Sequence, residues 1–130
     1  MSDALNKAIE GVNPNGQEVL KRLWENDAMP LDVLRGEVEA YTAYVTEEVV
    51  ARRPFVDADL ARSIGDACLA LVDGLDDGAS DDARKLVQLA ALYFIATEDD
   101  LDGAMGFDDD ALVVNNVAAF LGREDVHIDI

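Results

Sequence analysis

The sequence has one cysteine and one histidine among its 130 residues, and this scarcity excludes several kinds of site. A single thiol, Cys68, cannot form an intramolecular disulfide and offers too few thiolates for a cysteine-based zinc site. Cys68 lies in the apolar run CLALV, so we expect a small buried core residue. His127 stands near the end of the chain without a cysteine or serine motif beside it. We expect it to be a surface residue and not a catalytic base.

Long apolar runs are also missing. No window approaches the roughly 18 uncharged apolar residues that a membrane span needs. The N-terminal residues MSDALNKAIEGVNPNG show no basic stretch followed by an apolar one. We therefore expect no membrane segment and a cytoplasmic location. The glycine-rich GxGxxG and GxxxxGK loops of nucleotide-binding proteins and the HExxH zinc motif do not occur.

Basic residues are scarce as well: 10 lysines and arginines face 28 aspartates and glutamates, which gives a formal net charge of −18. Direct binding of nucleic acid needs clustered basic side chains, so this class is disfavoured. Three explanations of the acidity remain open: a halophile-like adaptation to a salt-rich cytoplasm, a surface that docks onto a basic partner, and a cation site. Half of the residues are hydrophobic, which indicates a folded chain.

Apolar residues recur at the three-and-four spacing of amphipathic helices along most of the chain. This pattern predicts a short first helix, then helices over about 16–26, 31–52, from Asp57, from Ser80 and from Asp108. We expect an all-α fold: one domain over residues 1–130, built as a compact bundle of five or six helices. The helix at about 80–97 is apolar around nearly its whole circumference, so it should lie at the centre of the bundle.

Two features near the C-terminal end stand out from this pattern. Val126, Ile128 and Ile130 alternate with polar residues, which favours an extended segment laid against the bundle or added to a partner's edge. We therefore interpret residues 122–130 as a mobile or extended tail. Asn115 and Asn116 interrupt the apolar last helix, and we expect one to face solvent and the other to bond to neighbouring backbone.

The densest group of candidate ligands is the acidic stretch 98–110, set between two apolar helices. On the twelve-residue EF-hand scheme with Gly103 as the sixth residue, the first, third and fifth positions are Glu98, Asp100 and Asp102, and the twelfth is Asp109. These four carboxylates are candidate ligands for calcium or magnesium. The alternative is that the acids cap the last helix and solvate the loop, because anionic side chains are favourable in a first helical turn.

Residues 91–121 resemble the YkvA-like family of small proteins, which is catalogued as a domain of unknown function. The family shows an aromatic pair, two spaced aspartates, and a glycine with a paired aspartate that opens a helix. The residues that carry the resemblance are Tyr93, Phe94, Asp99, Asp102, Gly106, Asp109 and Asp110. The resemblance brings no established activity, but it implies that these acids belong to a recurrent pattern.

From these observations we favour a non-enzymatic interaction or regulatory module. Its acidic loop, through Asp99, Asp102, Asp109 and Asp110, would bind a basic protein surface or a divalent cation. One alternative is a metal-dependent enzyme that uses the loop carboxylates, for which a concave pocket beside the loop is expected. The other is a protein whose acidity serves only as a halophilic surface.

Overall fold

The structure, a computed structural model, describes residues 3–52, 57–76, 78–96 and 108–129. These residues form an all-α bundle of six helical rods, as the sequence predicts. The elements are α1 (Asp3–Ala8), α2 (Pro14–Trp24), α3 (Leu31–Ala43), a π-helical segment (Tyr44–Val49), α4 (Val50–Arg52), α5 (Ala58–Asp73), α6 (Asp81–Ala96) and α7 (Asp108–Phe120). The π-helical segment joins α3 and α4 into one continuous rod. None of the described helices is long and apolar enough to span a membrane.

Three helices begin at side chains that suit a helix N-terminus. The side chains of Asn13, Asp57 and Ser80 each accept a hydrogen bond from the backbone N–H three residues later, at 2.7, 2.9 and 3.1 Å respectively. Each bond satisfies one of the N–H groups that a helix leaves without an internal partner. These local signals explain why the predicted starts of α2, α5 and α6 lie within two residues of the observed ones.

Helix α6 lies at the centre of the bundle and packs against α1, α2, α3, α5 and α7. Its middle section is buried around its circumference. The buried apolar residues of this section are Leu86, Val87, Leu89, Ala90, Ala91, Tyr93 and Phe94. The expected central position of this helix is therefore confirmed, and the rest of the core is arranged around it.

Gln88 is the buried polar side chain on this central helix, and both the oxygen and the nitrogen of its amide are hydrogen-bonded. Its Oε1 accepts a hydrogen bond from the backbone N–H of Met29 at 2.7 Å, and its Nε2 donates to the carbonyl oxygen of Asp27 at 2.9 Å. A buried amide with partners on both sides avoids the cost of an unsatisfied polar group. Gln88 thereby fixes the turn between α2 and α3 against α6.

The long rod differs from the single regular helix that the sequence predicts over 31–52, because Tyr44–Val49 is π-helical. Two threonines precede or enter this segment, and their hydroxyls bond to carbonyl oxygens four residues back: Thr42 to Val38 at 2.8 Å and Thr46 to Thr42 at 2.9 Å. Such bonds compete with the regular backbone ladder and favour local deviation. Opposite Thr42, α5 carries Gly65, whose missing side chain lets the two helices approach closely.

We predict that Gly65→Ala destabilises the protein by about 1–3 kcal/mol, because its added methyl group would collide with both the hydroxyl and the methyl of Thr42 and force the helices apart. Gly36→Ala is the matched control: nothing lies within 4 Å of the added carbon, so the higher helix propensity of alanine should stabilise by up to about 1 kcal/mol. Urea unfolding followed by circular dichroism measures both. Equal effects of the same sign would contradict the close approach of α3 and α5.

Candidate functional site

Most of the predicted acidic loop lies outside the described residues. This applies to Glu98, Asp99, Asp100 and Asp102, and therefore to three of the four ligands predicted from the EF-hand scheme. Asp109 and Asp110, in the first turn of α7, are described. Among the described residues, no group of three or more histidine, cysteine, aspartate or glutamate side chains is arranged to hold a metal ion.

Asp109 is half-buried and bonds to the beginning of another helix. Its Oδ2 accepts a hydrogen bond from Nδ2 of Asn13, the residue that caps α2. The same Asn13 side chain accepts from the N–H of Gly16 through its Oδ1. Asn13 therefore links the N-terminus of α7 to that of α2, and Asp109 has a structural partner within the bundle.

Asp110 points in a different direction, into the core. It is 4% exposed, and its charge acts on the thiol of Cys68, which is 1% exposed. Burial, and secondarily the negative charge of Asp110, raise the pKa of Cys68 to about 12. Cys68 is thus a buried, protonated core residue, as expected from its apolar neighbours. Asp109 and Asp110 therefore have separate surroundings, one at Asn13 and one beside Cys68.

A second acidic region depends on how the chain turns back after α7. Gly122 has a φ of +73°, which only glycine adopts without strain. The N–H of Gly122 bonds to the carbonyl of Ala119 at 3.2 Å, and the N–H of Arg123 bonds to that of Ala118 at 2.8 Å. This pair of bonds is the Schellman motif that commonly ends helices. The motif reverses the direction of the chain, so residues 123–129 return along the surface of the bundle.

Asn115 holds this returning segment in place. Its Nδ2 donates to the carbonyl of Ile128 at 2.9 Å, and its Oδ1 accepts from the N–H of the same residue at 2.8 Å. Val126 and Ile128 are buried, whereas His127 and Asp129 are exposed, which is the alternation of an extended strand. After a turn in which the N–H of Val126 bonds to the carbonyl oxygen of Arg123 at 3.1 Å, residues 126–129 therefore lie extended against the bundle. Exposure of His127 agrees with the surface position expected for it.

Asn116 acts at the other end of the chain. Its Nδ2 donates to the carbonyl oxygens of Ala8 and Glu10 at 3.0 and 2.9 Å, close to the C-terminal end of α1. The expectation that one of the two asparagines faces solvent is therefore wrong. Both amides are half-buried and both bond to backbone, because one lies opposite the end of α1 and the other opposite Ile128, where backbone groups lack helical partners.

An open groove of about 910 Å³ runs between α5 and the extended segment. Apolar side chains that are buried or half-buried line its floor: Leu60, Ala67, Ala70, Val126 and Ile128. Exposed carboxylates line its rim: Asp57, Asp59, Asp66, Asp125 and Asp129. Ser63 and His127 complete the lining, and the described residues that form it include no lysine or arginine. The groove therefore combines an apolar floor with a strongly negative rim.

The rim carboxylates differ in how far they are already engaged. Asp125 accepts hydrogen bonds from Arg123 at 3.0 and 2.9 Å, which hold the pKa of its carboxyl below the usual range. Asp57 caps α5, and Oδ1 of Asp59 lies 3.3 Å from Nη1 of Arg62. Asp66 has no hydrogen bond or ion pair with the described residues. It is available to a partner.

We compared the chain with known protein families, curated proteins and solved structures, and none of these comparisons found a significant match. The resemblance to the YkvA-like family therefore stays a prediction, and two of its four acidic residues, Asp99 and Asp102, lie outside the described part of the chain.

Sequence reasoning did not identify the groove. The alternation of Val126 and Ile128 did indicate an extended segment, but nothing in the pattern showed that it would lie beside α5. Asp57 caps α5, and Asp59 and Asp66 lie within it. These three aspartates could be recognised as one side of a groove only once the position of the opposite segment was known. The predicted loop and the observed groove are separate sets of residues.

Proposed function

We propose that this protein is a non-enzymatic interaction module that binds a basic protein surface. The observation that carries the proposal is the groove between α5 and the extended segment, whose rim bears five aspartates and whose described lining has no lysine or arginine. An apolar floor with a rim of one charge is the composition expected of a surface that recognises a partner of opposite charge.

The charge of the whole chain supports the same proposal. A net charge of −18 on a small domain attracts basic partners over long distances and accelerates their encounter. The groove would then supply the specific contacts, because its apolar floor removes side chains of the partner from water. The loop at 98–110 is a candidate second contact for the basic partner, and the alternative that it binds calcium or magnesium is tested below.

We predict that the double variant Asp66→Asn with Asp129→Asn binds a fluorescein-labelled oligolysine more weakly, by about two- to tenfold, since an exposed ion pair contributes about 0.2–1 kcal/mol. Neither side chain caps a helix in the described structure, so the fold should be retained. Fluorescence anisotropy titrations at low ionic strength measure the effect, and raising the salt concentration should weaken binding to both proteins.

The matched control is Glu37→Gln with Glu47→Gln, which removes the same charge from exposed positions on the long rod, outside the groove. The control should lose less than about twofold in affinity. Equal losses in the two variants would contradict the proposal. Binding would then follow net charge alone, as expected if the acidity is only a halophilic surface.

We also predict that magnesium or calcium chloride raises the melting temperature no more than potassium chloride at matched ionic strength. Either salt should stabilise the protein in dilute buffer, because the Debye length falls from about 10 Å at 0.1 M to about 3 Å at 1 M and self-repulsion is screened. Thermal melts monitored by circular dichroism provide the measurement.

An excess stabilisation of several degrees by the divalent ion would contradict this expectation, since a ligand at 100 times its dissociation constant adds about 2.7 kcal/mol. If Asp102→Asn removed that excess, the loop would be a cation site. Asp102 is the better residue to change because Asp109 also bonds to Asn13 in the bundle.

A further inference from the structure

The extended segment beside the groove has one bonded edge and one open edge. Both backbone groups of Ile128 are bonded to the Asn115 side chain. In an extended chain the N–H and C=O of one residue point to the same side, and those of its neighbours point to the opposite side. The backbone groups of His127 and Asp129 therefore point away from Asn115, and they have no hydrogen-bond partner among the described residues.

Unpaired backbone groups along an extended segment form a template for another strand. His127 and Asp129 are two residues apart. In a strand, residues at this spacing form hydrogen bonds to the same adjacent strand. An added strand could form up to about four backbone hydrogen bonds with them. Peptides bind to many protein sheets by adding a strand to an open edge in this way.

We propose that an extended, basic peptide segment of a partner protein adds as a strand to the open edge of Val126–Asp129 and lies in the groove. This inference rests on the proposed function and specifies that the partner binds through an extended peptide segment. Backbone pairing with His127 and Asp129 supplies the register, and the charge of the rim selects a basic sequence.

The lining of the groove specifies the side chains of the occupant. One set of alternate side chains would face the floor, where Ala67 and Ala70 leave room for valine or threonine. The other set would face the exposed carboxylates, such as Asp66 and Asp129, where lysine or arginine would form ion pairs. The occupant is therefore a short stretch in which basic and small apolar residues alternate.

A heptapeptide of alternating lysine and valine tests this proposal against the intact chain. Two derivatives keep its sequence and charge, one N-methylated at its valine amides and the other at its lysine amides. Alternate amides of a strand face opposite edges, so each derivative removes the N–H donors from one edge. We expect one derivative to bind at least about tenfold more weakly than the parent peptide and the other to bind within about threefold, in anisotropy competition assays.

The same assay is repeated with two variants of the protein. Asp66→Asn with Asp129→Asn should bind the parent peptide more weakly, whereas the control Glu37→Gln with Glu47→Gln should bind it with unchanged affinity. If the parent and both derivatives bind alike, and the Asp66 and Asp129 variant still weakens them, strand addition is overturned while the basic-partner function stands. If neither the heptapeptide nor oligolysine binds, or both variants lose affinity equally, the proposed function falls together with this inference.

Discussion

Two adjacent amides on α7 hold both ends of the described chain against the bundle. Asn116 bonds to the carbonyls of Ala8 and Glu10 at the end of α1, and Asn115 bonds to both backbone groups of Ile128. Neighbouring residues on a helix point about 100° apart, so one dipeptide can serve two sides of the same helix. The side of the groove formed by the extended segment depends on Asn115, because this side chain bonds to both backbone groups of Ile128 and holds the segment in place.

The acidity of the chain has more than one physical role. Aspartates in the first turns of α3, α5 and α6 (Asp32, Asp59, Asp81 and Asp82) interact favourably with the positive ends of the helix dipoles. Asp109 and Asp110 are drawn into contacts with Asn13 and the core. Asp66 has no such structural role, and it faces the groove. Some acids thus stabilise helices and also line the groove, as Asp59 does, whereas Asp66 only lines the groove and is available to a partner.

The helices could be predicted from the sequence because their signals are local. Asn13, Asp57 and Ser80 mark helix starts by residue type, and the apolar run around Leu86–Phe94 indicates the central helix. The π-helical segment was not predictable, since it involves threonine hydroxyls and the close approach of Gly65 from another helix. The groove was not predictable for a similar reason. The alternation at 126–128 indicates an extended segment, but its position depends on an amide 13 residues earlier.

Asn115 fixes Ile128 and leaves the flanking backbone groups open, and amide hydrogen exchange measured by NMR tests this arrangement most directly. The amide of Ile128 is predicted to exchange at least about tenfold more slowly than its intrinsic unfolded rate, whereas those of His127 and Asp129 exchange near theirs. Asn115→Ala should remove the protection of Ile128. Equally fast exchange at all three amides of the unmodified protein would contradict the account, because the extended segment would then not be held and the groove would lack its second wall.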